Sequence, residues 1–220
     1  MTSDPHALPA DLPPPADDGA CDHLAGMRLP RLALPATSGD PIDLAALPGR
    51  LVVYCFPRAG QPDVPTPAGW DQIPGARGCT PQSLAFRDHH QKIRALHAAV
   101  FGLSTQSPGA QAEIAARLKL PFPLFSDARL AFARALNLPT FAVEGMTLIR
   151  RLTLIVADGR IEKVFYPVFP PDKSADEVIV WLLAHPRRPE PAAEVRAGRN
   201  PLASAGPDAS NDAPARRASF

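Results

Sequence analysis

The sequence lacks an excess of charge of either sign, and it lacks long apolar runs. Its 23 basic and 22 acidic residues leave a net charge of +1, so no global field attracts nucleic acid or an anionic membrane. No apolar run approaches the ~20 residues that a membrane-spanning helix needs. The first residues have neither the basic region nor the apolar core of a secretory signal peptide. Aromatic residues make up only 6% and are not interleaved with basic runs, which also disfavours nucleic-acid binding.

Cysteine is scarce as well. The three cysteines, Cys21, Cys55 and Cys79, form no Cys-x-x-Cys pair. An odd number of cysteines with no such pair disfavours both a disulfide scaffold and a four-ligand zinc site. Reduced thiols instead favour a cytoplasmic protein.

Other known site patterns are weak or missing. The sequence contains no Gly-rich phosphate loop and no Gly-x-Ser-x-Gly elbow. His89, His90 and His97 could suggest a metal site, but a solvated helix face is the favoured interpretation, and no metal is predicted.

Proline, by contrast, is abundant, with 28 residues, and much of it lies near the two ends. Residues 1–27 predict a flexible leader rich in Pro, Ala and Asp, and residues 187–220 predict a disordered tail. Both segments have few bulky apolar side chains that could be buried in a core. Residues 28–186 therefore predict one folded domain.

Strand and helix signals alternate within this domain. Asp158-Gly159 lies between two apolar runs and predicts a tight hairpin turn. The order predicts an α/β protein with a thioredoxin-like fold, in which a central mixed β-sheet is flanked by helices. The expected elements are strands over 51–56 and 98–103, an extended segment over 122–125, a hairpin over 151–166, and helices over 81–97, 108–118, 127–136 (capped by Asp127) and 172–184.

An irregular segment over 58–78 interrupts this order. It is dense in Pro and Gly, and loops of this length within a compact domain are usually functional or disordered. Trp70 and Ile73 are the residues that could anchor it. The segment ends by delivering Cys79 to the start of a helix, for which Thr80 is the expected N-cap and Pro81 the expected first helical residue.

The position of Cys79 favours thiol chemistry. Unpaired backbone N–H groups and the helix dipole stabilise an anion at a helix N-terminus, and the thiolate is the reactive form of cysteine. Arg77 and Arg87 could add positive charge. The alternative is that Cys79 is only a small loop residue. Cys55, within an apolar run, is expected to behave as a small hydrophobe, and no role is predicted for Cys21.

The residues Gly78-Cys79-Thr80-Pro81-Gln82-Ser83-Leu84-Ala85-Phe86-Arg87-Asp88 resemble the peroxiredoxin Q, or bacterioferritin-comigratory, branch of the peroxiredoxins. Members of that branch carry a Gly-Cys-Thr sequence that leads into a helix with Phe-Arg-Asp. The resemblance continues in order along the predicted domain, at 29–35, 54–57, 100–104, 122–127 and 151–159.

The resemblance implies a thioredoxin fold and thiol-dependent reduction of peroxides. By this resemblance Cys79 matches the peroxidatic cysteine, which becomes a sulfenic acid. Arg151 matches the arginine that the family directs at the cysteine and the peroxide. Arg150 is its competitor, since alternating strand faces allow only one of them to reach the site. Pro57 matches the proline that shields the site from water.

Three departures from the family pattern affect the prediction. Ala76 occupies the position of the family's threonine, and Thr66 or Thr80 is a candidate substitute. Pro57 lies much farther upstream than in the family because of an insertion over 61–73. Leu84 stands where many members carry a resolving cysteine, so a local disulfide cannot form. The long ends have no counterpart in the family.

The predicted function is therefore a one-cysteine antioxidant peroxidase for hydrogen peroxide and organic hydroperoxides. An external thiol, either a thioredoxin-like protein or glutathione, resolves the sulfenic acid, and Cys55 is a weaker internal candidate. No cofactor is expected, and a homodimer is possible by the resemblance. The alternative is a redox-sensing or partner-binding module with a degenerate peroxidase site. A thiol-disulfide oxidoreductase is disfavoured because a Cys-x-x-Cys pair is missing.

Overall fold

The computed structural model describes residues 8–9, 11–62 and 64–187. Within them the chain forms nine strands and five α-helices. The strands are β1 (Ala33–Ala36), β2 (Gly39–Asp43), β3 (Arg50–Cys55), β4 (Ala98–Ser104), β5 (Leu124–Ser126), β6 (Thr140–Val143), β7 (Met146–Ile149), β8 (Leu152–Ala157) and β9 (Arg160–Phe165). The helices are α1 (Cys79–Asp88), α2 (His90–Ala95), α3 (Pro108–Leu118), α4 (Ala131–Ala135) and α5 (Ser174–Ala184).

Seven of the strands form one mixed sheet in the order β2-β1-β5-β4-β3-β8-β9. Strands β3, β4 and β5 run parallel, while β8 pairs antiparallel with β3, and β9 pairs antiparallel with β8. Strands β6 and β7 form a separate two-stranded hairpin. The α/β architecture with a central mixed sheet flanked by helices is confirmed.

The residues of β3 alternate between two hydrophobic clusters, one on each face of the sheet. Leu51, Val53 and Cys55 belong to the first cluster, with Phe132 of α4. The second cluster receives the intervening side chains of β3, together with residues of α1, α2, α3 and α5. Because successive strand side chains point to opposite faces, a residue's cluster shows which side of the sheet it occupies.

The 151–166 hairpin forms as expected. Strands β8 and β9 meet at Asp158 and Gly159, which have φ values of 48° and 75°. Glycine adopts a left-handed conformation without steric cost, and aspartate is among the few other residues that tolerate it. The turn signal in the sequence therefore identified both strands.

Two expected helices differ from the structure in their bounds. The helix expected over 81–97 is two helices, α1 and α2, which are separated at His89. The helix expected from Asp127 begins at Ala131 instead. Asp127 still caps it, because its carboxylate accepts hydrogen bonds from the backbone N–H groups of Phe132 (3.0 Å) and Ala133 (2.8 Å).

The start of the folded part differs from the expected boundary at residue 28. Leu24 is fully buried and Cys21 is 5% exposed, and both pack in the first cluster. The Tyr166 hydroxyl donates a 2.9 Å hydrogen bond to the Asp18 carboxylate. The prediction of a flexible leader is thus wrong for the part around residues 18–24, because its few apolar side chains pack in the first cluster. Residues 1–7 and 10 lie outside the described residues.

The predicted disordered tail falls almost entirely outside the described residues, since residues 188–220 are not among them. Within the ranges that are described, none of the helices has both the length and the apolar character that crossing a membrane requires.

Candidate active site

Cys79 is the first residue of α1, at the end of the long segment that leaves β3. The N-cap is Gly78, with φ of 102°, and the first helical residue is Cys79. The cap expected at Thr80 and the first helical position expected at Pro81 therefore each lie two residues earlier in the chain. Pro81 occupies the third helical position instead, where its missing N–H costs nothing, since the first-turn N–H groups have no partner within the helix. The prediction that Cys79 lies at the start of a helix is confirmed.

Gly78 fits only because it has no side chain. An ideal Cβ there would lie 2.3 Å from Cγ of Pro171 and 2.9 Å from Cδ2 of Leu8. Pro171 precedes α5, so the start of α1 is packed between the N-terminal segment and the entry to the last helix. This close approach fixes the backbone that carries Cys79.

Arg151 holds the thiol group of Cys79. One of its terminal nitrogens, Nη2, lies 3.3 Å from the Cys79 Sγ. The same nitrogen lies 3.0 to 3.2 Å from the backbone carbonyl oxygens of Gly75, Ala76 and Arg77. Both side chains are 3% exposed. A guanidinium with a permanent charge therefore contacts the sulfur and, through three carbonyls, the loop that precedes it.

Gln82 fixes the other terminal nitrogen of Arg151. Its side-chain oxygen accepts a hydrogen bond from Nη1 of Arg151, and its side-chain nitrogen donates to the Ser174 Oγ at 3.3 Å. The Ser174 hydroxyl in turn contacts the Thr153 hydroxyl at 3.3 Å. Gln82, Ser174 and Thr153 are at most 2% exposed. This buried polar chain orients the guanidinium from α1, α5 and β8.

Tyr54 of β3 contacts the helix that carries Cys79. Its hydroxyl donates a 3.2 Å hydrogen bond to the Ser83 Oγ, and its ring stacks on Phe86 with centroids 4.5 Å apart. Burial raises the pKa of Tyr54 far above its ordinary value, and proximity to Cys79 adds to this, while the bond to Ser83 acts in the opposite direction. The hydroxyl therefore remains a neutral donor at physiological pH.

Arg150 does not reach the sulfur. Its guanidinium carbon lies 5.9 Å from the ring centroid of Phe141 on β6. The expectation that only one of the two neighbouring arginines points into the site agrees with this geometry, and Arg151 is the one that does so.

The other two cysteines lie on the opposite face of the sheet. Cys55 and Cys21 pack in the first cluster, whereas Cys79 packs in the second. Burial raises the pKa of Cys21 to about 12 and raises that of Cys55 further. All three thiols are free. β3 thus directs the sulfur of Cys55, the weak candidate for an internal resolving cysteine, to the face of the sheet opposite Cys79.

A cleft of about 530 Å³ opens over Cys79. The irregular segment over 58–78 forms one wall of the cleft through Arg58, Gln61 and Thr66, and Thr80 also lines it. Both threonines that could substitute for the missing family threonine thus face this cleft. Pro57 is buried at the end of β3, and the residue that follows it, rather than Pro57 itself, is part of the lining.

The inserted segment is anchored by a small apolar cluster. Trp70, Ala76 and Leu148 are buried together, and Ile73 packs against them. Trp70 and Ile73 therefore anchor the loop as expected. Ala76 supplies no hydroxyl to the site, but its carbonyl oxygen contacts the Cys79 Sγ at 3.6 Å as well as Arg151.

The three histidines do not form a metal centre. His89 contacts the Ala85 carbonyl through Nδ1 and the Asp176 carboxylate through Nε2, and the His90 ring lies 5.6 Å from the Phe122 ring. Among the described residues no three His, Cys, Asp or Glu side chains are grouped so that they could hold a metal ion.

Sequence reasoning missed Gln82, Tyr54 and Ser174 as parts of the site. A signal for Gln82 was present, because it follows Cys79 by three positions and so lies on the same face of the helix. Tyr54 could have been placed on the Cys79 side by alternation along β3. Nothing local marks Ser174, which comes to the site through the packing of α5.

Comparison with known proteins gives a consistent result. The Redoxin family profile matches residues 24–179. The chain is 27% identical over 187 residues to a chloroplastic peroxiredoxin Q of Gentiana triflora, covering 83% of this chain and 77% of that protein. It is 28% identical over 166 residues to peroxiredoxin Bcp of Escherichia coli (strain K12), covering 73% and 96%. A solved structure of Xanthomonas campestris peroxiredoxin Q superimposes with a TM-score of 0.60 at 26% identity, covering 74% of this chain and 99% of that chain.

Proposed function

The chain belongs to the Redoxin family, in its peroxiredoxin Q/Bcp branch, and on that premise we propose that it is a thiol peroxidase that reduces hydrogen peroxide and organic hydroperoxides at Cys79. The observation that carries the proposal is the 3.3 Å contact between the Arg151 guanidinium and the Cys79 Sγ at the first residue of a helix. A helix N-terminus and a fixed cation both favour the thiolate, which is the nucleophilic form.

In the first step the thiolate attacks one oxygen of the peroxide bond. A sulfur–oxygen bond forms and the oxygen–oxygen bond breaks, so sulfur is oxidised by two electrons and the peroxide is reduced by two. Cys79 becomes a sulfenic acid, and the departing hydroxide or alkoxide takes up a proton to give water or an alcohol.

Arg151 acts where negative charge moves during this step. It shares the charge of the thiolate at the start and stabilises the charge that develops on the departing oxygen. Its buried Nε has no hydrogen-bond partner among the described residues. Gln82 and three backbone carbonyls hold the guanidinium in place, so little reorganisation is needed at the moment of reaction.

An external thiol completes the cycle. Cys21 and Cys55 lie across the sheet from Cys79, and Leu84 fills the position of a local resolving cysteine. One external thiol condenses with the sulfenic acid, releasing water and forming a mixed disulfide. A second thiol then displaces Cys79 as a thiol and leaves with the first as a disulfide. We propose a thioredoxin-like protein or glutathione as this donor, Pro57 as a shield against water, and a cytoplasmic location. A homodimer stays a prediction.

The test is steady-state consumption of hydrogen peroxide with reduced glutathione or a thioredoxin system as the donor. The wild-type chain is expected to turn over repeatedly, and Cys79→Ser is expected to lose turnover to the background rate. Cys55→Ser and Cys21→Ser are the matched controls and are expected to retain it. Turnover that survives Cys79→Ser would defeat the proposal.

The loss of a hydroxyl at Ala76 supports a second candidate, a redox sensor with a degenerate site. This candidate predicts that Cys79 is oxidised once per chain and that no donor restores it catalytically. Comparison of the first turnover with the steady state therefore separates the sensor from the peroxidase.

A further inference from the structure

The cleft over Cys79 is lined by three arginines. Arg58, Arg77 and Arg117 line it, and none of the described residues in its lining is acidic. Two of the three arginines also contact carboxylates that lie outside the lining. Arg77 pairs with Asp71 at 3.1 Å, and Arg117 pairs with Glu113 at 2.6 Å.

Arg117 has a second task in addition to its ion pair. Its Nη2 donates a 2.7 Å hydrogen bond to the Gly60 carbonyl oxygen. This bond ties the irregular segment over 58–78 to the end of α3 at a point two residues after Arg58. The wall that carries Arg58 is thereby fixed next to the mouth of the cleft.

Arg58 is the third arginine of the lining. It is half-buried, and no described residue makes a hydrogen bond or an ion pair with its guanidinium. A half-buried cation with no counter-ion among the described residues favours anions in the cleft, and the N-terminus of α1 at its base acts in the same direction. A planar guanidinium also recognises a carboxylate through two parallel hydrogen bonds.

The remaining walls suit an organic molecule rather than a bare ion. Val64, Trp70, Pro81 and Leu118 contribute apolar surface. The volume of about 530 Å³ falls within the range of ligand sites, roughly 300–1,000 Å³. A small molecule with a hydrocarbon body therefore has room between the arginine and the sulfur.

We propose that Arg58 makes this cleft a binding site for the carboxylate of an organic molecule that reacts at Cys79. The inference rests on the proposed peroxidase function and deepens it, since it names a feature of the reactant. The carboxylate has two possible sources, an organic hydroperoxide or the reducing thiol. The same cleft serves both, because the two reactants meet Cys79 in successive steps.

The test compares carboxylates with their esters. Single-turnover oxidation of Cys79 is measured with linoleic acid hydroperoxide and with its methyl ester. Reduction of the oxidised protein is measured with glutathione and with its diethyl ester. In at least one of these pairs the carboxylate is expected to react about tenfold faster at low salt, and the preference is expected to shrink as salt screens the interaction.

Arg58→Gln removes the charge and keeps most of the side chain. In the pair that shows a preference, it is expected to bring the ratio of the carboxylate's rate to the ester's rate close to one. Arg129→Gln is the matched control, because it removes one exposed positive charge that does not line the cleft, and it is expected to keep the wild-type ratio. The pair that responds identifies the source of the carboxylate.

Two results would overturn the inference. One is a ratio near one in the wild-type chain for both pairs, and the other is a preference that Arg58→Gln leaves unchanged. Reduction of hydrogen peroxide, which has no carboxylate, tests the proposed peroxidase function independently of the carboxylate site. If the wild-type chain reduces hydrogen peroxide but shows no preference, the carboxylate site is refuted and the peroxidase is not.

Discussion

Replacement of Arg151 by glutamine is expected to lower the second-order rate constant for oxidation of Cys79 by hydrogen peroxide by about 10²–10³. Arg151 places a permanent charge 3.3 Å from the sulfur, and glutamine removes both the charge and the fork of donors. Stopped-flow oxidation at pH 7 measures the rate constant. Arg151→Lys keeps the charge without the planar fork, so an intermediate rate is expected.

Arg150→Gln is the matched control, because it removes the same kind of charge from the adjacent residue, which contacts Phe141 instead of the sulfur. It is expected to react within a few-fold of the wild-type rate. Far-UV circular dichroism and thermal unfolding establish that each variant is folded, since Arg151 also binds three carbonyls of the preceding loop. A folded Arg151→Gln variant with the wild-type rate would remove Arg151 from the mechanism.

The second large effect is expected from Gly78→Ala. The φ of 102° at this position costs a residue with a Cβ about 1 kcal/mol. The new methyl group would also lie 2.3 Å from Pro171, and such overpacking adds about 1–3 kcal/mol. The free energy of unfolding, measured in urea, is expected to fall by about 2–4 kcal/mol. The rate of Cys79 oxidation is also expected to fall, by about 10², because the helix start that positions the sulfur must move.

Gly26→Ala separates conformational strain from steric collision. Gly26 has a φ of 82°, and a Cβ there would meet nothing within 4 Å. This variant is expected to lose only about 1 kcal/mol and to keep the wild-type oxidation rate. If the two variants lose equal stability and equal activity, packing of Pro171 against Gly78 does not position Cys79.

The parts of the fold that the sequence predicted are those with a local signal. The run over 51–56 is apolar on both faces of β3, and Asp158-Gly159 has the chemistry that its turn requires. The break at His89, where the ring contacts the Ala85 carbonyl, has no signal in the apolar pattern of the sequence. The hairpin of β6 and β7 was not predicted, although Gly145 marks its turn with a φ of 75°.

The N-terminal segment shows why composition alone misleads. The predicted leader, residues 1–27, is rich in Pro, Ala and Asp and offers few apolar side chains, so disorder was the natural prediction. Leu24 is nevertheless fully buried, because one leucine against an existing sheet needs no core of its own. Such docking depends on a surface that is built by distant residues.

The residues of the candidate site also fall into two groups, those that the sequence identified and those that only the fold brings together. Cys79 and Arg151 were identified through the family resemblance, and the start of a helix gave an independent physical reason for Cys79. Gln82, Ser174 and Thr153 act together only because α1, α5 and β8 converge, and convergence of this kind leaves no pattern within any one segment.

The most direct test of the account is a single turnover with equimolar hydrogen peroxide at pH 7 in the presence of dimedone, which traps sulfenic acids, followed by peptide mass spectrometry. One adduct per chain is expected, at Cys79. Cys21 is expected to stay unlabelled, because burial raises its pKa to about 12 and leaves a thiolate fraction of only about 10⁻⁵ at pH 7. Cys55, whose pKa is also raised by burial, is expected to stay unlabelled too. Labelling of either buried cysteine in place of Cys79, or no trapped sulfenic acid at Cys79, would contradict the account.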